Sequence, residues 1–321
     1  MIAILMLGLL NRSASVAGNI ISQDVTRVVL PRSFNAETMY PFFEAVLNKQ
    51  RDATCSIVTF DFSRLQFIDP VGVVSLSNMI EYLDKLNVKV RFGFHRIATP
   101  ATEFLDDAGF FERYVGEKAF RYSRPRNSTM PLQLIADTEM TEFLYFRLIP
   151  WIGRSVGESD QSLITLRASL EEIFHNVVDH SGVQVGCTFA QHFPQRSEIQ
   201  IAVSDFGDGI PDVIRRKAPY ASDPETMRLA CQEGFTTKSN VHNRGAGLPT
   251  LTRYVTKRNG GTVLIAAAGA QLAARPAPAG EMRITSRYAR GFYPGTLFRV
   301  LLRTDNLKLM AADAEQEDFQ W

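Results

Sequence analysis

Glu172, Asn176 and His180 stand four residues apart in the stretch 163–180, so on a helix turning ~100° per residue they form one row. Leu163, Leu166, Leu170, Ile173 and Val177 recur at the spacing that lays an apolar stripe beside that row. A carboxylate, an amide and an imidazole in line on the edge of a buried helix cost free energy unless something binds them. The competing reading is a polar flank facing water.

Two glycine clusters follow downstream. Asp205-Phe206-Gly207-Asp208-Gly209-Ile210-Pro211 comes at the end of an expected strand. Its glycines let the backbone turn sharply and approach a ligand, and an aspartate there can accept a hydrogen bond from an exocyclic amine. Many hairpins use the same turn chemistry. The second cluster, Asn243-Arg244-Gly245-Ala246-Gly247-Leu248-Pro249, stands just ahead of an amphipathic stretch at 250–254, with Pro249 at a first helical position. Exposed amides and a helix dipole there would hold polyphosphate, with Lys238 and Arg244 as cations. The alternative for either cluster alone is a surface loop. The long segment between them, which includes the basic patch Arg215-Arg216-Lys217, is where a ligand lid would sit.

The elements that must position these groups are readable in outline. The chain has 321 residues, 45% of them hydrophobic and 21% charged, which describes an ordinary globular protein of about two domains. A net charge of +1 gives no electrostatic argument for nucleic acid or an anionic membrane. Cys55, Cys187 and Cys231 are odd in number and never spaced Cys-x-x-Cys, which argues against a disulfide framework or a zinc site and fits a reducing cytoplasm. The apolar run 1–10 is too short to span a bilayer. Ser15-Val16-Ala17 could pass for a cleavage site, but no Lys or Arg precedes the run, so a buried strand or a misassigned start is the expectation for 1–24.

From 25 to 121 strands and helices alternate: strands at 27–30, 56–61 and 88–94, a helix carrying Met39, Phe42, Phe43, Val46 and Leu47, a second after Asp69-Pro70-Val71-Gly72, and a third over 101–108 stopped by Gly109. This argues for a small α/β layer. Asp69 and Gly72 can be read simply as the turn into a helix. Residues 122–130 are rich in turn-formers and are expected to link the two halves. Beyond them a strand at 132–135, a helix over 141–156 interrupted near Pro150, a strand pair at 183–192 and 198–204, and strands at 262–268, 282–286 and 296–303 are expected. The Ala-, Pro- and Gly-rich segment 269–280 reads as a dispensable loop, and the acidic tail 305–321 as loose.

Taken in order, Glu-x-x-x-Asn-x-x-x-His on a helix, Asp-x-Gly-x-Gly after a strand, Phe235-Thr-Thr-Lys238, Gly245-x-Gly-Leu248 before a helix and Gly295-Thr-x-Phe298 in a strand resemble the GHKL ATPases over residues 131–304. Within that superfamily the helix phrase is most similar to the anti-sigma-factor serine kinases. Asp61-Phe-Ser-Arg-Leu-Gln-Phe-Ile-Asp69-Pro-Val-Gly72 and Leu105-Asp-Asp-Ala-Gly109-Phe resemble STAS domains, the fold of the antagonists of such kinases. The resemblances imply an α/β fold class of two-layer α+β sandwiches, an N-terminal STAS-like domain followed by a Bergerat-type ATP-binding domain with a mixed sheet.

They also imply ATP and Mg as cofactors. Asn176 would ligate Mg²⁺ bridging the phosphates, and Glu172 would orient or deprotonate an attacking group if chemistry occurs. Asp205 would hold adenine, with Gly207, Gly209 and Ile210 shaping the pocket. Lys238 would approach the γ-phosphate, Arg244, Gly245, Gly247 and Leu248 would line the phosphate end, and Thr296 would lie near adenine. His180 fits the pattern as a ligand contact or a helix cap. Pro249 replaces a third glycine of many members, which would restrict lid movement, and Val71 stands where phosphorylatable STAS domains carry serine. None of the five histidines lies in a phosphoacceptor motif, which argues against a complete sensor histidine kinase.

The expectation is therefore a cytoplasmic regulatory protein that binds Mg-ATP, as an ATPase or protein-serine kinase, with a protein partner at the STAS-like module and a homodimer left open. The alternative is a non-catalytic scaffold for which ATP is only a conformational ligand.

Overall fold

The structure is a computed structural model and describes residues 25–136, 139–181, 185–235 and 247–307. The segment 1–24 and the tail from 308 onward lie outside the described residues.

The N-terminal part runs β1 (Val25–Val29), β2 (Ser33–Phe34), α1 (Tyr40–Glu44), β3 (Ile57–Asp61), β4 (Phe67–Ile68), α2 (Pro70–Lys85), β5 (Lys89–Gly93), α3 (Pro100–Asp107) and α4 (Phe110–Val115). Strands β1, β3 and β5 form a parallel three-stranded sheet with β3 in the middle, and β2 pairs with β4. The β-branched run of β3 suits a central strand covered on both faces. Asp69 caps α2: its Oδ1 accepts from the Gly72 amide at 3.0 Å, with Pro70 in the first turn. Gly72 is needed for packing as well, since a Cβ there would stand 2.4 Å from the Phe34 carbonyl oxygen. Thr99 and Thr102 close a reciprocal cap on α3.

The C-terminal part runs β6 (Thr129–Ala136), α5 (Met140–Phe143), a π turn (Leu144–Leu148), α6 (Ile149–Val156), α7 (Ile164–Ser181), β7 (Val185–Phe193), β8 (Glu198–Asp205), α8 (Gly209–Arg215), α9 (Asp223–Ala230), α10 (Gly247–Arg253), a second π turn (Tyr254–Arg258), β9 (Thr262–Pro276) and β10 (Met282–Arg303). The interruption expected near Pro150 is the π turn just before it, a widening that accommodates a residue without an amide hydrogen. Five strands form one sheet in the order β6-β7-β8-β10-β9.

Every described pairing in this sheet is antiparallel, where a mixed sheet was expected. The reason is connectivity: β7–β8 and β9–β10 are joined as hairpins, and β10 inserts between β8 and β9. A second correction concerns 269–280. Ala270, Leu272 and Ala274 are buried on alternate positions, so residues 269–276 continue β9 and only 277–280 turn, and β9 and β10 form a long ribbon. Small alanines alternating inward carry a strand pattern that composition alone hides. A third correction concerns the start of the tail: Leu307 is buried, and the Asn306 side-chain Nδ2 donates to the Asn259 backbone carbonyl at 2.7 Å.

The five-stranded sheet is covered on both faces. Ile199, Ile201 and Val203 of β8, with Phe298, Val300 and Leu302 of β10, face a core shared with Leu166, Leu170 and Ile173 of α7 and with α10. Cys187, Phe189, Ala202, Leu264, Ala266 and Leu297 face the other way, into a core continuous with α1, α2 and β3. Helix α2 is therefore flanked by both sheets, which is why its residues 70–80 are buried all round. A polar tie crosses the same layer: the Gln200 side-chain amide of β8 donates to Asp69 Oδ2 at 3.2 Å.

Candidate functional site

Strand β8 ends on Asp205, and the pairing register sets it opposite Thr296 of β10. Beyond it the chain turns back on itself: the Gly207 amide donates to Asp205 Oδ1 at 2.6 Å, a side-chain-closed turn. Gly209 has φ +77° and opens α8. The alternate residue, Phe206, points to the opposite side of the sheet, where its ring meets Phe43 at 5.8 Å, Tyr82 at 5.6 Å and Tyr293 at 5.7 Å between centroids. The Tyr293 hydroxyl in turn hydrogen-bonds Ser204. The side chains of Asp205 and Phe206 thus part at the strand's end, the carboxylate toward the glycine turn and the aromatic toward the inner core.

Asp205 is buried, at 2% exposure. Burial pushes its carboxyl up to about 7; the amides of Gly207 and Thr296 and the charge of Arg51 oppose that rise, and Asp208 adds to it. A carboxylate poised in this way can accept from a neutral donor such as an exocyclic amine and can change its protonation near neutrality.

Helix α7 forms as its stripe predicts, with Leu163, Leu166, Leu170 and Ile173 buried, and Phe174 widens the stripe. It packs against α10, α8 and β8. Glu172, Asn176 and His180 are carried on this helix, but their side chains lie outside the described residues. Gly247 is the first residue of α10, Leu248 and Pro249 are buried in its first turn, and Ile210 of α8 packs on the same core. Lys238, Arg244 and Gly245 lie outside the described residues. The structure therefore brings together the elements carrying Glu172, Asn176 and His180, Asp205, Gly207, Gly209, Ile210, Gly247, Leu248 and Thr296.

Two arginines of the basic patch are engaged locally. Arg215 pairs with Asp212 at 2.9 Å and with Asp223, and Arg216 pairs with Asp208. Among the described residues no group of three or more His, Cys, Asp or Glu side chains could hold a metal by itself. A cation held by one amide oxygen and a ligand's phosphates needs no such group. A cavity of about 630 Å³ lies in the N-terminal part, lined by Glu81, Asp84, Lys89, Arg113 and Tyr114 among others, and none of its lining residues belongs to the Asp205 turn.

Two further residues shape the site, and of these the sequence reading missed Arg51 altogether and met Gly295 only within a motif. Gly295 has φ +127°, and a Cβ on it would stand 2.3 Å from the Asp205 carbonyl oxygen. It was visible only as part of the Gly-Thr-x-Phe phrase. Arg51, from the turn between α1 and β3, donates from Nη1 to the Gly207 carbonyl. Nothing in the local sequence signals a contact 156 positions away.

No protein-family model matches the chain, and no curated protein matches it. Among solved structures, it is similar to the ATPase region of Saccharomyces cerevisiae topoisomerase II, at 14% identity and a TM-score of 0.24. That similarity covers 44% of this chain and 39% of the other. No helix among the described residues is long and apolar enough to cross a membrane.

Proposed function

We propose that residues 131–304 form a GHKL-type nucleotide-binding unit that takes Mg-ATP, and that the STAS-like N-terminal part couples it to a protein partner in signalling or transcriptional control. The observation that carries the nucleotide reading is the buried Asp205 at the end of β8, held at 2.6 Å by the Gly207 amide and paired in register with Thr296. A buried carboxylate at a glycine-rich turn suits recognition of the adenine amino group. The reading is supported further by the motif order in the sequence and by the packing of α7 against α8 and α10.

In this account Asn176 holds Mg²⁺, which would neutralise the phosphate charge. Glu172 orients the attacking group, whether water or a serine hydroxyl on another chain. Gly245, Gly247, Lys238 and Arg244 serve the phosphates. Val71 leaves the STAS-like part without the usual phosphorylatable serine, so it serves as a docking module rather than a substrate.

Thermal unfolding with and without Mg-ATP tests the proposal. A ligand at about a hundred times its Kd adds roughly 2.7 kcal/mol of stability, so wild-type protein should melt several degrees higher with ATP and Asn176→Ala should not. Glu172→Ala should keep the shift while losing any turnover. No shift in folded wild-type protein would overturn the nucleotide reading.

A further inference from the structure

The turn that bears Arg51 is tightly built. The Asn48 amide donates to the Asp52 carbonyl at 3.0 Å, and the Arg51 amide donates to the Asn48 carbonyl at 3.0 Å. The Asn48 side chain closes the ring, accepting from the Asp52 amide at 2.9 Å and donating to Asp52 Oδ2 at 3.2 Å. Arg51 itself sits at φ +69°, a left-handed conformation that is strained for a residue with a Cβ. The Tyr82 hydroxyl donates to the Arg51 carbonyl at 3.0 Å, while the Tyr82 ring meets Phe206 edge-on. The conformation that strains the backbone is the one that delivers the guanidinium to the carbonyl of Gly207.

We propose that Arg51 is a positioning residue for the Asp205–Gly209 turn, so that the nucleotide site is completed by the N-terminal part of the chain. This inference rests on the reading of that turn as the adenine subsite. Arg51 does not touch the bound base. It acts by fixing Gly207, whose amide holds Asp205 Oδ1 and whose carbonyl takes the guanidinium. Both backbone polar groups of one residue are therefore used, the amide by the strand end and the carbonyl by the other half of the protein. The arginine's charge also favours the ionised carboxylate, the form that accepts from an amine. Among the described residues the other ionisable groups facing Asp205 are Asp208, which opposes ionisation and is paired with Arg216, and Tyr293 from β10. A partner that displaces the 48–52 turn would thereby weaken nucleotide binding without entering the pocket.

The test is calorimetric titration of Mg-ATP into the full chain at pH 6.5 and pH 8.5, for wild type, Arg51→Gly, Arg51→Lys and Asp205→Asn, with melting temperatures alongside. Glycine suits φ +69°, so Arg51→Gly removes the guanidinium without straining the fold. The expected result is an unchanged or higher melting temperature with affinity reduced about tenfold at pH 6.5. The deficit should be smaller at pH 8.5, where a larger share of the carboxyl is ionised, and Arg51→Lys should recover much of it. Wild-type affinity in Arg51→Gly at both pH values, with Asp205→Asn impaired, would overturn the inference and leave the nucleotide reading standing. Equal losses of stability in both Arg51 variants would reduce Arg51 to a structural residue and also overturn it. Absence of ATP binding by the wild type would remove the nucleotide reading itself.

Discussion

Gly209 and Gly295 lie face to face: a Cβ on Gly209 would stand 2.9 Å from the Gly295 carbonyl oxygen, and one on Gly295 would stand 2.6 Å from the Phe206 Cα. Both have positive φ. The turn after β8 and the irregular stretch of β10 before Thr296 therefore approach as bare backbone. The β10 register shifts between Tyr293 and Thr296 at this point, a bulge that re-aims the strand beside the site.

Gly295→Ala should accordingly destabilise the protein by roughly 3 kcal/mol or more, since clash and strained φ add. Gly280→Ala is the control. It shares the positive φ but meets nothing within 4 Å, so its cost should be about 1 kcal/mol. Urea unfolding midpoints distinguish the two. Equal costs would mean the close approach at Gly295 relaxes freely.

The buried carboxyl of Asp205, pushed up to about 7, predicts opposite effects on stability and binding. The folded state holds the proton more tightly than the unfolded chain, so the stability it contributes is present at low pH and is lost as pH rises through about 7. Asp205→Asn removes that loss, and the mutant should gain roughly 2–3 kcal/mol on wild type between pH 5 and pH 8. The asparagine oxygen can still accept from Gly207, but its amide presents a donor to the adenine amino group. ATP affinity should therefore fall in the same variant. Wild-type affinity should rise from pH 6 to pH 8 as the carboxylate forms. Denaturation series at several pH values, paired with titrations, check both signs.

Phe43 of α1 joins the two halves of the chain. Its ring packs edge-on against Tyr293 at 4.9 Å and Phe206 at 5.8 Å, and it is fully enclosed. Phe43→Ala should cost about 3–5 kcal/mol. Because the core around it contains residues of both halves, unfolding followed by near- and far-ultraviolet circular dichroism should give one coincident transition in wild type. Two separated transitions would show that the halves unfold independently.

The cysteines should be inert in the folded protein. Cys55, Cys187 and Cys231 are all buried, and burial pushes the thiols of Cys187 and Cys231 up to about 12. Cys187 also hydrogen-bonds Ser77 across the layer at 3.2 Å. A thiol reagent at pH 8 should label none of them natively and all three in urea. Rapid native labelling of Cys187 would show the α2–β7 contact opening.

The legible parts of this chain were those written in local periodicity. Leu163, Leu166, Leu170 and Ile173 of the α7 stripe and the inward alternation of Ile199, Ile201 and Val203 repeat at the period of their own element and emerged as read, while the side chain of Val177 lies outside the described residues. The Asp205 turn was legible because its aspartate and glycines fall within one short stretch, 205–209. The ribbon of β9 and β10 was not, because Ala270, Leu272 and Ala274 alternate inward within a composition that resembles a loop. The burial of α2 on every side follows from a second sheet lying against it, a relation between distant segments. Arg51 and Gly295 belong to the same class: what matters about each is a backbone conformation and a neighbour far away in sequence.

The most direct test of the central claim is calorimetric titration of the full chain with Mg-ATP and, separately, Mg-GTP at pH 8. Saturable one-to-one binding of ATP is expected, with affinity for GTP weaker by about tenfold or more and loss of that discrimination in Asp205→Asn. No heat of binding to folded wild-type protein, or equal affinities untouched by Asp205→Asn, would contradict it.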